Sequence, residues 1–255
     1  MSLGSGAKSD RIQGVLFDAT GTLFETRERI GAVYARRAAP HGVDLSTQRL
    51  DDAFARILAA APPRVFPDCE ACEIEDLEQE WWRAVVQSSF LAADDKVEFD
   101  DFATFFSELY AYYLTADAWA LRPGARHVLS ELKRRGFRTG VVSNFDQRLR
   151  VILQALEINE FLDIVMIPAM CRAQKPDARI FEAALKALEL PAAAVVYVGD
   201  DAEKDRAAGA RVGMQCLDPD AFEAFAEFID HVEQMKAGPG RAIGDEPDSP
   251  PGESR

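Results

Sequence analysis

Asp18 stands directly after the apolar run Val15-Leu16-Phe17 and before Ala19-Thr20-Gly21-Thr22-Leu23. A short hydrophobic run that ends in an acid and continues into Gly and small hydroxylated residues reads as a buried strand delivering a carboxylate to a loop. Three later places repeat the arrangement with complementary groups. Val141-Val142 leads into Ser143-Asn144, Lys175-Pro176 follows Ile164-Val165-Met166-Ile167, and Val195-Val196-Tyr197-Val198 leads into Gly199-Asp200-Asp201. A carboxylate can attack phosphorus and form an aspartyl-phosphate, splitting hydrolysis into two displacements. Phosphoryl transfer is otherwise positioning and charge stabilisation. The Ser143 hydroxyl and the Asn144 amides can donate to nonbridging oxygens, and Lys175 supplies a compact positive charge. Mg²⁺ prefers oxygen ligands, which Asp18 and Asp200 would supply; Asp201 and Asp205 lie near enough to support it or to cap the following helix.

These groups can cooperate only if one scaffold brings them together. Strand and helix alternate after residue 118: strands over 138–143, 163–168, 194–198 and 214–217, and helices over 147–156, 176–188 and 202–210. Such alternation predicts βαβ units around a parallel sheet, with ligands bound outside the carboxyl ends of its strands. Between 27 and 117 the strand-like runs give way to helical periodicity. Its stripes are Ile30/Val33/Tyr34/Arg37, Leu50/Phe54/Ile57/Leu58 after a Ser46 or Thr47 cap, Leu77/Trp81/Ala84/Val85/Ser88, and Phe102/Phe105/Phe106/Leu109/Tyr110/Tyr113. Aromatic residues at that spacing read first as helix core. The expected fold is therefore α/β, a Rossmann-like doubly wound parallel sheet over 11–26 and 118–236, with an all-helical cap inserted over 27–117. A terminal helix is expected over 221–236, and the Pro-, Gly- and Asp-rich segment 237–255 is expected to be disordered.

Bulk properties narrow the function. The 255 residues, 48% hydrophobic and 28% charged, are those of an ordinary globular protein. A formal net charge of −14 argues against nonspecific nucleic-acid binding. It leaves room for a phosphorylated small molecule, because one Lys and a metal reverse the field inside a cleft. No run reaches the length of a membrane span, and residues 1–10 lack the apolar stretch of a secretory signal. With four Cys and no such signal, a reducing, cytoplasmic setting is expected. Cys69 and Cys72 form a C-x-x-C pair, but His41, His127 and His231 are scattered singly, so zinc is not expected. The oligomeric state stays open between monomer and homodimer.

From about Gly14 to Leu217 the chain resembles the haloacid dehalogenase-like hydrolase superfamily, in the subfamily whose cap follows the first motif. Asp18 to Leu23 looks like that motif, Ser143-Asn144 the second, Lys175-Pro176 the third, and Gly199-Asp200-Asp201 with Asp205 the fourth. Asp18-Ala19-Thr20-Gly21-Thr22 and Ser143-Asn144-Phe145-Asp146 are closer still to its rhythmically-expressed-gene-like branch. The resemblance implies a Mg²⁺-dependent phosphatase acting on a small phosphorylated metabolite. Asp18 would be the nucleophile and Lys175 a catalytic cation. Thr22, Ser143, Asn144 and Lys175 would bind substrate, and Asp18, the Thr20 carbonyl, Asp200 and Asp205 would bind metal.

Thr20 departs from the pattern. Phosphatases of this family have a second Asp there, which protonates the leaving oxygen, and a Thr hydroxyl is too weak an acid for that near neutral pH. General acid catalysis contributes roughly 10²–10⁴ in rate, so the loss falls hardest on alkyl esters. Thr20 suits a 2-haloacid dehalogenase, in which Asp18 attacks carbon and halide leaves unprotonated. Asp200, Asp201 and Asp205 oppose it, since they repel an anionic haloacid. A catalytically weak binding or regulatory protein on the same fold is the third reading.

Overall fold

In the computed structural model, residues 11–222, 225 and 227–237 are described. Five strands form one parallel sheet: β1 (Gly14–Phe17), β4 (Arg138–Val142), β5 (Ile164–Met166), β6 (Val195–Val198) and β7 (Gln215–Leu217). Two further strands, β2 (Phe24–Thr26) and β3 (Trp119–Leu121), pair antiparallel as a separate ribbon. The order across the sheet is β5-β4-β1-β6-β7. The chain builds one flank through β4 and β5, then crosses β1 to build the other through β6 and β7. That reversal is a topological switch point, and it falls beside the end of β1.

Both faces of the sheet are covered, so its strands are continuously apolar. Val15, Phe17, Val141, Val196 and Val198 face one layer, made by α5 (Ala125–Arg134), α6 (Arg148–Ala155) and α10 (Glu227–Ala237). Leu16, Val142, Val195 and Tyr197 face the other, made by α8 (Ala178–Leu188) and α9 (Ala208–Val212). Neighbouring residues of one strand thus serve opposite cores, as the period of two requires. A short helix, α7 (Pro168–Cys171), stands between β5 and the loop that carries Lys175.

The segment between β2 and β3 is all-helical: α1 (Ile30–Ala38), α2 (Thr47–Ala60), α3 (Ile74–Ala93) and α4 (Phe102–Tyr112). Ser46 accepts from Arg49 N and Asp101 from Thr104 N, fixing the starts of α2 and α4. These helices enclose their own core of Val33, Tyr34, Leu50, Val86, Phe90, Phe105 and Leu109. The buried face of α3 differs from the expected stripe. Leu77 and Ala84 point to solvent, whereas Glu78 is buried with Val85, Val86, Ser89 and Phe90. A hydrophobic pattern passes over a buried acid, but Glu78 is held there by an oxygen that accepts from Gln147 N at 3.0 Å. The terminal helix begins at Glu227, later than expected, while 238–255 and positions 223, 224 and 226 lie outside the described residues.

Phe90 is 1% exposed, with the rings of Tyr34, Phe99 and Phe105 at 5.7, 5.0 and 5.3 Å. Phe90→Ala is expected to lower stability by about 3–5 kcal/mol through lost transfer energy and an unfilled cavity, read from urea unfolding at unchanged slope.

Candidate active site

β1, β4 and β6 end side by side, because Phe17 is in register with Val141 on one side and Val198 on the other. Asp18 is therefore set between the Ser143 and Gly199-Asp200 loops, its N–H donating to Val198 O at 2.8 Å. Lys175 arrives differently, through the loop after α7, and lies nine residues past the last residue of β5. Its Nζ stands 2.7 Å from Asp18 Oδ1 and 2.6 Å from Asp205 Oδ1, and it donates to Tyr197 Oη at 3.1 Å. Burial pushes the Asp18 carboxyl up, and the nearby ammonium only partly offsets it. Burial pulls the Lys175 ammonium down, but the Asp18 and Asp205 carboxylates overcome it and leave it above its ordinary value. Burial, then the charges of Asp18 and Asp205, raises the Tyr197 phenol well above its usual range.

Carboxylate oxygens of Asp18, Asp200 and Asp205 lie within 4.8 Å of one another. Asp205 Oδ1 takes bonds from Lys175 and Tyr197, and its Oδ2 takes one from Asp201 N at 3.2 Å. Asp201 accepts from Glu203 N and Lys204 N, so it caps the following helix. That helix opens as a π-turn, Ala202–Ala207, before α9, and the wider turn places Asp205 under the sheet end. Gly21 has φ +86°, and a Cβ there would lie 2.6 Å from Asp200 Oδ2. Only glycine fits so close an approach in that conformation.

Three expected residues serve other groups than a ligand. The Asn144 carboxamide clamps the Lys175 main chain, Oδ1 accepting from Lys175 N at 2.6 Å and Nδ2 donating to Lys175 O at 2.8 Å. Its side chain is thus engaged away from an incoming ligand. The buried Thr22 hydroxyl donates to Asp200 Oδ1 at 3.2 Å and orients that carboxylate. Asp205 supports Lys175 from within the cluster. Thr20 and Ser143 line the cavity above Asp18, together with Asn144, Lys175 and Asp200.

That cavity, about 630 Å³, lies between the sheet ends and the helical insert. A seam of charged side chains, of which the sequence singled out only Asp146, closes one wall. Arg64 donates to Asn144 O, and its guanidinium lies over Trp81 and Trp82 at 4.8 and 5.2 Å. Asp146, fully buried, accepts from Arg148 Nε at 2.9 Å and from Trp82 Nε1. Burial raises Asp146, but the Arg148 bonds and charge outweigh it and hold the carboxyl below its ordinary value. Burial pushes Glu78 up to about 7. Tyr197 hides inside an apolar strand pattern, where only a phenol among three valines marks it. Arg64 has no local signal at all, since it sits in a Pro-flanked loop 46 residues beyond Asp18.

The family model of haloacid dehalogenase-like hydrolases matches residues 12–213. The chain belongs to this family. Human haloacid dehalogenase-like hydrolase domain-containing protein 3 is 31% identical over 217 residues, covering 82% of this chain and 85% of the human one. The rhythmically expressed gene 2 protein of Drosophila melanogaster is 26% identical over 211 residues, 80% and 81% of the two chains. Among solved structures, a HAD phosphatase from Thermococcus onnurineus has a TM-score of 0.56 at 21% identity, over 80% of this chain and 85% of that one. At that identity the likeness is one of fold. It matches a HAD core of parallel strands with a helical cap.

Tyr197→Phe keeps the ring against Phe181 but removes the hydroxyl that joins Asp205 to Lys175. The variant is expected to lose about 1–3 kcal/mol of stability, the cost of leaving buried polar partners unsatisfied, measured by chemical denaturation.

Proposed function

We propose that the chain is a Mg²⁺-dependent hydrolase of a small phosphorylated molecule, with Asp18 as nucleophile. The observation that carries this reading is the Asp18 carboxylate at a switch-point strand end, 2.7 Å from a buried ammonium and beside two more carboxylates. On this reading the core is 11–26 with 118–236, and 27–117 is the cap. The four described cysteines are free, in keeping with a cytoplasmic setting.

The donor set suits Mg²⁺: its side-chain atoms are all oxygens, and Asp18 and Asp205 share the Lys175 ammonium while Asp200 stands beside them. Asp18, Asp200 and the Thr20 carbonyl would hold the ion, with Asp205 behind them. Bound there, it would neutralise charge on the phosphate and on the carboxylates around it. Asp18 attacks phosphorus, the ester oxygen leaves with its electron pair, and water then attacks the aspartyl-phosphate and releases phosphate. Lys175 offsets part of the burial that opposes ionisation of Asp18 and meets the charge of the phosphoryl oxygens. The Ser143 hydroxyl and the Asn144 main-chain N–H are the donors assigned to those oxygens. The Asn144 carboxamide serves instead to fix Lys175.

Thr20 would also suit dehalogenation. The acidic cluster weighs against it, because a haloacid carboxylate would approach three clustered carboxylates, only two of which are paired with the Lys175 ammonium.

Asp18→Asn is expected to lower acetyl phosphate turnover by at least about 10⁴-fold, the scale of removing a nucleophile, while the melting profile stays cooperative. Asp200→Asn should raise the Mg²⁺ concentration needed for half-maximal rate. Full activity after exhaustive chelation, or turnover of 2-chloropropionate in place of acetyl phosphate, would sink the proposal.

The missing acid has its own signature. The rate should fall steeply as the leaving-group pKa rises, and Thr20→Asp should flatten that dependence. It should raise alkyl phosphate turnover towards the ~10²–10⁴ of a positioned acid, less whatever a further carboxylate costs the metal site. A flat dependence in the unmodified protein would show that an acid comes from elsewhere or that cap opening limits the rate.

A further inference from the structure

The cavity over Asp18 has two walls of unlike chemistry. The sheet side offers Asp18, Thr20, Ser143, Asn144, Lys175 and Asp200. The cap side is aromatic: Trp81 and Trp82 from α3 and Tyr110 from α4, then Tyr113, with Trp119 and Phe145 beside the entry to the core. Trp81, Trp82, Tyr110, Tyr113 and Phe145 are only half-buried, unlike Phe90 and Phe105 in the cap core, which are closed off. These rings line the cavity without being closed off, although Arg64 lies over the two indoles and Arg148 over Tyr110.

The polar inventory of the cap side is equally telling. Among the described cap residues that line the cavity, from Ile30 to Tyr113, none has a side-chain carboxylate, amide or aliphatic hydroxyl. Arg148 is engaged with Asp146, and Arg64 with Asn144 O and the two indole faces. Among the described residues this leaves Arg64 Nε and the Tyr113 hydroxyl as the buried polar atoms of this wall without a hydrogen bond. A sugar phosphate would bring several hydroxyls into this wall with few partners, and each polar group desolvated without a partner disfavours binding. A planar ring finds offset and edge contacts instead. The volume is that of sites that take drug-sized ligands. Thr20 points the same way from the opposite wall, since a site without a general acid needs a leaving group stable as an anion.

We infer that the substrate class is the aryl phosphate monoester, with the phosphate on the sheet side and the aromatic ring against the cap. The inference rests on the phosphohydrolase reading above. Asp18 forms the bond to phosphorus as the bond from phosphorus to the phenolic oxygen breaks. The phenoxide departs with the electron pair and takes its proton from water. A second water then cleaves the aspartyl-phosphate, and the sum is one phenol and one inorganic phosphate per water consumed.

All three tryptophans of the chain, Trp81, Trp82 and Trp119, line the cavity, so binding has an optical readout apart from turnover. Asp18→Asn protein with Mg²⁺ would be titrated with phenyl, octyl and glucose 6-phosphate by tryptophan fluorescence and calorimetry. In parallel, kcat/KM of the unmodified protein would be measured on the same esters and on acetyl phosphate. Phenyl phosphate is expected to bind at least about tenfold tighter than the other two esters. The ratio of its kcat/KM to that of acetyl phosphate should fall about tenfold in Trp81→Leu and, independently, in Tyr110→Leu. If acetyl phosphate is hydrolysed in an Asp18-dependent way while octyl or glucose 6-phosphate equals phenyl phosphate, the aromatic class is overturned and the phosphohydrolase stands. If neither replacement moves the ratio, the aromatic wall does not recognise the ring, and the inference falls. If no phosphate, acetyl phosphate included, is turned over through Asp18, both readings fall together.

Discussion

A single buried ammonium organises this molecule's sheet end. Lys175 Nζ is out of water, and a charge in that position is tolerable only with close, well-placed partners. Asp18 and Asp205 provide them at 2.7 and 2.6 Å, with the Tyr197 hydroxyl filling a third direction. Each partner comes from a different part of the chain: the end of β1, the π-turn after β6 and the interior of β6. The Lys175 main chain is held by Asn144, beyond the end of β4. Four separate segments must therefore be in place before the ammonium is satisfied. The same requirement gathers the residues proposed to do chemistry. The arrangement offsets part of the burial that opposes the charge on Asp18.

Around that centre the cap and the core meet through a polar seam and through Tyr112 and Tyr113, which pack against both apolar clusters. The cap has its own cluster of aromatic side chains. Its polar contacts with the sheet domain include Arg64, Trp82 and Glu78 with Asn144, Asp146 and Gln147, Arg64 N with Gln174, and Arg172 with the carbonyls of Pro67 and Cys69. Arg64 touches the carbonyl of Asn144, the residue that fixes the Lys175 backbone. The cap is thus in direct contact with the support of the ammonium.

The sheet is legible in the sequence because its strands are buried on both faces and read as unbroken apolar runs. Strand ends mark the loops that hold Asp18, Ser143 and Asp200, and a polar residue after such a run is easy to see. The finer functions of these residues are not legible, because they depend on which way a side chain turns. Asn144 and Thr22 present the right groups in the right loops, yet their side chains serve Lys175 and Asp200. The ribbon of β2 and β3 escapes notice because each strand has three residues and joins segments 92 apart at Arg27 and Trp119. Glu78 shows the limit of hydrophobic periodicity: the buried face of α3 contains a carboxyl whose partner is a distant backbone N–H.

The same ribbon governs how the cap can move. The chain leaves the core through Phe24–Thr26 and returns through Trp119–Leu121, and the two passages are bonded to each other. Further bonds, Arg27 N to Ala118 O and Arg122 N to Leu23 O, extend the pairing by one step at either end. Neither passage can twist without shearing its neighbour's hydrogen bonds. The two passages therefore act on the cap as one paired ribbon rather than as two independent linkers. Any displacement of the cap at this junction has to carry both passages together.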